Sequence, residues 1–166
     1  MTFQVNDRVV HSTYGIGRVV GLVTKRFTTA EPQRYYEVAI ERNTVWVPAD
    51  AAATPELRLL TSKSELARGR AILQSQPVPM TPDHRQRRLD LANRLKNCSF
   101  LALCELVRDL NARSWHKPLN EVDSAGLRKA RQALCQEWAA TEEVALSAAT
   151  EEIDALLLAG RQSYRV

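Results

Sequence analysis

Two different periods run through the hydrophobic and polar positions of this chain. Up to about residue 50 the pattern is that of strands, with apolar and polar residues alternating or grouped in runs of four to eight. Arg8-Val9-Val10-His11 stops at a turn signal, Ser12-Thr13-Tyr14-Gly15. Residues 17–24 are rich in β-branched side chains, and residues 35–40 alternate with Tyr36, Val38 and Ile40 on one face. Thr44-Val45-Trp46-Val47 is a further run, closed by Pro48, which has no N–H to give to a ladder. The link Glu41-Arg42-Asn43 is short enough for a hairpin. Four or five antiparallel strands in roughly 50 residues predict a small barrel of the SH3 or Tudor type, a shape that binds partners more often than it does chemistry.

After residue 61 the period becomes 3.6. Ser62-Lys63-Ser64-Glu65 is a capping box that opens a helix to about residue 74. Pro77, Pro79 and Pro82 interrupt regularity and mark 75–80 as a linker. Thr81-Pro82-Asp83 reads as the next helix start, with Thr81 as cap, and that helix ends near Lys96-Asn97. Phe100, Leu103, Cys104, Val107 and Leu110 form the buried stripe of a third helix. Asp123 is read as the cap of a fourth, whose face is Leu127, Ala130, Leu134 and Trp138. A short last helix is predicted from Thr150, with Ile153, Leu156 and Leu157 apolar. The fold class is therefore α+β: a β-barrel domain at 1–61 followed by an all-α bundle at 62–166.

Composition narrows the class. Of 166 residues 45% are hydrophobic and 25% charged, the balance of a globular chain. No apolar run approaches the roughly 18 residues needed to span a bilayer. The N-terminus lacks the basic-then-apolar pattern of a secretion signal, so a cytoplasmic location is expected. Cys98, Cys104 and Cys135 have no CxxC spacing; they read as small core residues, without disulfide or metal.

Charge is unevenly placed. The net charge is +4, but residues 85–131 hold eleven Lys and Arg against five acids, and residues 132–160 hold six acids and no Lys or Arg. Such segregation suits a surface that meets DNA phosphate over one area only. His84-Arg85-Gln86-Arg87-Arg88 opens a helix, where backbone amides already favour phosphate. Arg87 and Arg94 lie two turns apart on one face, and Arg128-Lys129-Arg131 sits on a second helix. The DNA-binding set is accordingly His84, Arg85, Arg87, Arg88, Arg128 and Lys129. Trp138 lies on an apolar stripe and reads as core, whereas Trp115 follows a helix end among basic residues, as a loop anchor or a stacking surface. Trp46 falls between two valines; if these are core it is exposed and suits a protein interface, with Lys25 and Arg26 as its polar rim.

Catalysis finds no support. His11, His84 and His116 have no Cys, Ser or carboxylate neighbour at a nucleophile or metal spacing. Gly15-Ile16-Gly17 lacks a third glycine and precedes a strand, which makes it a turn rather than a dinucleotide loop. Glu142-Glu143 and Glu151-Glu152 read as charges at helix N-termini. A non-enzyme without cofactor is expected.

Phe3-Gln4-Val5-Asn6-Asp7-Arg8-Val9-Val10, Tyr14-Gly15-Ile16-Gly17, the Tyr35-Tyr36 strand and Val45-Trp46-Val47-Pro48-Ala49-Asp50 resemble the polymerase-interacting domain that CarD and CdnL proteins share with the transcription-repair coupling factor. Leu106-Val107-Arg108-Asp109-Leu110 and Leu127-Arg128-Lys129-Ala130-Arg131-Gln132 are similar to CarD signatures too, while the helicase core of a coupling factor has no counterpart. The resemblance implies a bacterial, monomeric transcription factor. Its β domain would bind a lobe of the RNA polymerase β subunit by sheet extension, with Lys25, Arg26, Tyr35 and Trp46 at the contact. Its helical domain would touch double-stranded promoter DNA at the upstream edge of the bubble, without sequence preference, and modulate the open complex. His84 stands where the family places a wedging tryptophan. The alternative is an adaptor that binds polymerase or another partner with no functional DNA contact.

Overall fold

The computed structural model describes residues 3–26, 31–49, 56–96 and 99–164, and the chain divides into two compact units, Met1–Leu60 and Thr61–Val166. Cys98, Asn97 and Asp50, which entered the sequence reading, lie outside the described residues.

The first unit is one antiparallel sheet of β1 (Arg8–His11), β2 (Gly15–Lys25), β3 (Gln33–Ile40), β4 (Asn43–Pro48) and β5 (Leu57–Leu59), in the order β4-β3-β2-β1-β5. Alternation sets the register: Tyr36, Val38 and Ile40 of β3 are buried, and Val38 lies opposite Val19 and Val45. With Phe3, Val9, Val47 and Leu57 they form the core. The Phe3 ring meets Tyr36 edge-on at 5.3 Å, and the Tyr36 hydroxyl accepts from the Phe3 amide. Gly15 begins β2 with φ 91°, a left-handed conformation that glycine adopts without a Cβ penalty. A bulge between Val19 and Gly21 interrupts the β2–β3 ladder.

The closed barrel expected from the strand pattern is an open sheet instead. β5 is three residues long and ladders with β1, so β4 and β5 stand at opposite edges without bonding to each other. Closure would need a ladder between those two strands.

The second unit holds α1 (Lys63–Gln74), α2 (His84–Lys96), α3 (Phe100–Arg113), α4 (Glu121–Glu142) and α5 (Leu146–Ser163). α3 carries the largest apolar stripe, with Phe100, Leu103, Cys104, Leu106, Val107 and Leu110 all buried. Trp138 is wholly buried, 6.1 Å from the Phe100 ring and beneath the Arg70 guanidinium at 5.4 Å. Arg70 also pairs with Glu142 and Glu152, joining α1 to the end of α4 and to α5, and the Glu152 bond raises its pKa above the ordinary arginine value. Thr61 is held at both backbone groups by α4: its amide donates to buried Glu137 at 2.9 Å, and its carbonyl accepts from Thr141.

Three helix starts differ from the sequence reading. Asp83, not Thr81, caps α2, its carboxylate accepting from the amides of Arg85 and Gln86. Asn120, not Asp123, caps α4; its side-chain oxygen accepts from the Asp123 amide at 2.8 Å, which leaves the Asp123 carboxylate for other work. The last helix is 18 residues long and starts at Leu146 with no side-chain cap, so no residue signals its beginning. Packing of Ala149, Ile153, Leu157 and Gly160 holds it in place of a cap. In the capping box Ser62 does accept from the Glu65 amide, while the Glu65 carboxylate accepts from the Thr61 hydroxyl.

Candidate functional site

On the β unit, residues directly opposite in an antiparallel ladder share a face. The pairs Val23–Tyr35, Lys25–Gln33, Glu37–Trp46 and Tyr35–Pro48 therefore place Tyr35, Lys25 and Trp46 together, on the side away from Tyr36 and Val38. Lys25 Nζ stands 3.8 Å over the Trp46 ring, a cation–π contact that fixes both side chains. Trp46 is half-buried under that contact rather than exposed, because Lys25 and the neighbouring strand cover part of the ring. Arg26 is exposed just beyond β2. β4, which carries Trp46, is an edge strand, so among the described residues one side of its backbone faces no other strand of the sheet.

On the helical unit the basic cluster separates into two populations. Arg87, Arg94, Arg108, Arg113 and Arg131 are paired within the unit, to Asp123, Asp109, Asp109, Asp123 and Asp154 respectively. Arg85, Arg88, Lys96, Lys117, Arg128 and Lys129 are exposed and enter no ion pair among the described residues.

Arg87 is the correction with the largest consequence. It is 1% exposed and cannot meet a DNA phosphate. Nε donates to Asp123 at 2.8 Å, Nη1 to the carbonyls of Thr81 and Pro82, and the Nη2 group lies 2.9 Å from His84 Nδ1. A guanidinium with its donors fanned over four partners is a structural rivet, and Arg suits that task because its donors diverge in one rigid plane. It ties the turn before α2 to the start of α4. Arg94, placed with it on one helix face, likewise turns inward, 3.8 Å from buried Asp109.

His84 is exposed at the first turn of α2. A protonated guanidinium only donates, so the Arg87 contact makes His84 Nδ1 an acceptor and leaves Nε2 as the protonated nitrogen of the neutral ring. The Asn120 side-chain amide is 3.4 Å from the same nitrogen. Together with Arg113, Lys117 and Asp123 these residues line a small cleft of about 180 Å³ between the starts of α2 and α4. Leu91 closes the α2–α4 contact below, against Gly126, where an added Cβ would come within 2.5 Å of Leu91 Cδ2. The structure thus brings His84 and Arg87 together, leaves Arg85 and Arg88 exposed beside them on α2, and sets Arg128 and Lys129 on the exposed side of α4. The sequence reading had not singled out Lys117 and Asn120. The Asn120-x-x-Asp123 cap signature was the available signal for the second, and only the cleft reveals the first.

Cys104 and Cys135 are buried, and neither is in a disulfide. No cluster of three or more His, Cys, Asp or Glu able to hold a metal occurs among the described residues, and no helix there is long and apolar enough to cross a membrane.

Residues 3–60 match the CarD-like/TRCF RID domain, and residues 70–154 match the CarD C-terminal domain. A two-unit chain with the strand-rich module first and the basic helical module second is the arrangement these two domains define. The protein belongs to the CarD/CdnL family of polymerase-interacting transcription factors. No curated protein matches the chain closely enough to be reported as a relative.

Proposed function

We propose that the protein bridges RNA polymerase and promoter DNA and sets the lifetime of the open complex. The β unit docks on a lobe of the polymerase β subunit through Lys25, Arg26, Tyr35 and Trp46, with the β4 edge available to extend a partner sheet. The helical unit lies on duplex DNA near the upstream edge of the bubble. Arg85, Arg88, Arg128 and Lys129 meet phosphates there, and His84 faces the strand junction. Arg87 is withdrawn from that set, being buried. The observation that carries this reading is the division of the basic cluster: five cations are paired within the unit, and six are exposed with no ion pair among the described residues. Exposed, unpaired cations on two packed helices are what sequence-tolerant phosphate binding requires.

A salt titration of duplex binding tests it. The logarithm of the affinity should fall linearly with the logarithm of salt, and Arg88→Ala or Lys129→Ala should each flatten the slope by about 1. Equal slopes for wild type and both variants would leave an adaptor without DNA contact. Promoter melting by purified polymerase holoenzyme then reads the second half of the proposal. Replacing His84 with tryptophan adds apolar surface at the strand junction and should lengthen open-complex lifetime.

A further inference from the structure

A second and larger hollow lies on the helical unit. It measures about 320 Å³, at the small end of the roughly 300–1,000 Å³ range of ligand clefts. Its walls are the segment Pro77, Val78, Pro79 and Met80 on one side, and Trp115 and Tyr164 on the other. This segment, read from sequence only as a linker, is fixed: the Val78 amide donates to the buried Asp109 carboxylate at 3.0 Å, and Arg108 donates to Ser75. The hollow is thus part of the folded unit.

Its rim is cationic. Arg113, His116 and Lys117 border it, and the Arg161 guanidinium stands 5.5 Å over the Trp115 ring. The one acid in the lining, Asp109, is buried and already engaged by Arg94, Arg108 and the Val78 amide. Arg113 and Lys117 also line the cleft at His84, so the two depressions share a wall on the face that carries the start of α2. An apolar, aromatic-walled hollow with a cationic rim is complementary to a flat aromatic group carrying a negative charge.

We propose that this hollow receives one unstacked base of single-stranded DNA, with Trp115 as its stacking surface and Lys117 neutralising the adjoining phosphate. The inference rests on the DNA-contacting reading above and extends it from duplex to melted strand. Every base presents a π-face, so capture by stacking needs no sequence preference and suits a protein that meets different promoters. Duplex DNA keeps its bases paired and cannot enter.

The test compares a fluorescent oligothymidine with a duplex of equal length, by anisotropy at low salt, on the full chain. Trp115→Ala should weaken single-strand binding about tenfold and leave duplex binding unchanged, while Trp115→Phe should retain most of it. Val78→Glu is the control for folding: Val78 is 59% exposed, so the change places a negative charge at the wall without opening the core, and it should reduce single-strand binding to the same degree. Unchanged single-strand affinity in Trp115→Ala and Val78→Glu, with duplex binding intact, overturns this inference alone. Loss of both affinities in step also overturns it, since the hollow would then make no distinction between strands. Wild-type protein that binds neither DNA defeats the DNA-contacting reading itself. Self-association in sedimentation that Val78→Glu abolishes, with oligothymidine binding unchanged, assigns the hollow to a second copy and overturns the inference.

Discussion

Arg85, Arg87 and Arg88 are indistinguishable by type and by place in the chain, yet their fates diverge. Arg87 points inward to Asp123, 36 positions away, and its neighbours point out. Arg87→Ala should therefore cost about 3–5 kcal/mol of stability, because it strands a carboxylate that is 2% exposed with only the more distant Arg113 at 3.6 Å. Arg88→Ala should leave stability within about 0.5 kcal/mol and act on DNA affinity alone. Urea denaturation of the two variants checks both statements; an Arg87→Ala protein as stable as wild type would refute the rivet. No local pattern could have told these arginines apart, since helical spacing fixes which face a side chain occupies but not what stands opposite that face.

His11 offers a second test at this scale. It is 5% exposed; its Nδ1 accepts from the amides of Thr13 and Tyr14, and Nε2 lies 3.6 Å from Glu56. Burial lowers its pKa below 6.5, against a smaller raising pull from Glu56. A depressed histidine pKa means that the unfolded chain takes up the proton first as pH falls. The contribution of His11 to stability is then constant above pH 6.5 and declines as pH drops below it. His11→Asn keeps an acceptor for the two amides and should remove that part of the pH dependence, measured by thermal denaturation between neutral and mildly acid pH.

At the scale of elements, the strands were the most legible part. β1 falls where the run Arg8-Val9-Val10-His11 placed it, and the hairpin link shortens to Glu41-Arg42, with Glu41 in the left-handed region. Period-2 alternation reads a half-buried sheet directly, since one face must be apolar. Helix starts were legible only where a side chain signals them, as Ser62 does; α5 has none. The seat of α2 on α4 was hidden altogether, because it depends on the absence of a side chain at Gly126. Gly126→Val should drive Leu91 aside, destabilise by about 1–3 kcal/mol through overpacking, and weaken duplex binding by displacing the basic helix. Circular dichroism melting and anisotropy on the same sample read the two effects. On the sheet, Trp46→Ala should reduce capture of polymerase while the helical unit still binds DNA, because Trp46 lies outside the buried core of the β unit.

For the whole molecule the two activities should separate. Lys25→Glu reverses the charge over Trp46 and should abolish polymerase capture with duplex affinity retained. The double change Arg128→Ala, Lys129→Ala should do the reverse. Each should shorten open-complex lifetime on a promoter where wild type lengthens it, and the two variants compared with wild type should show that neither contact suffices. A Lys25→Glu protein with full effect on open-complex lifetime would contradict the bridge.

What the sequence determined by itself was the succession of a strand-rich unit and a helical one, the apolar faces of most elements, and the concentration of positive charge in residues 85–131. These depend on periodicity and composition, which are properties of neighbouring residues. Tertiary structure alone decided that the sheet stays open, that five of the eleven cations are consumed by internal acids, and that the proline-rich segment forms a wall beside Trp115. Those outcomes depend on which groups folding brings within hydrogen-bonding distance, across 31 positions for Val78 and Asp109 and 36 for Arg87 and Asp123. A cation on a helix is a DNA contact or a rivet according to its neighbour in space.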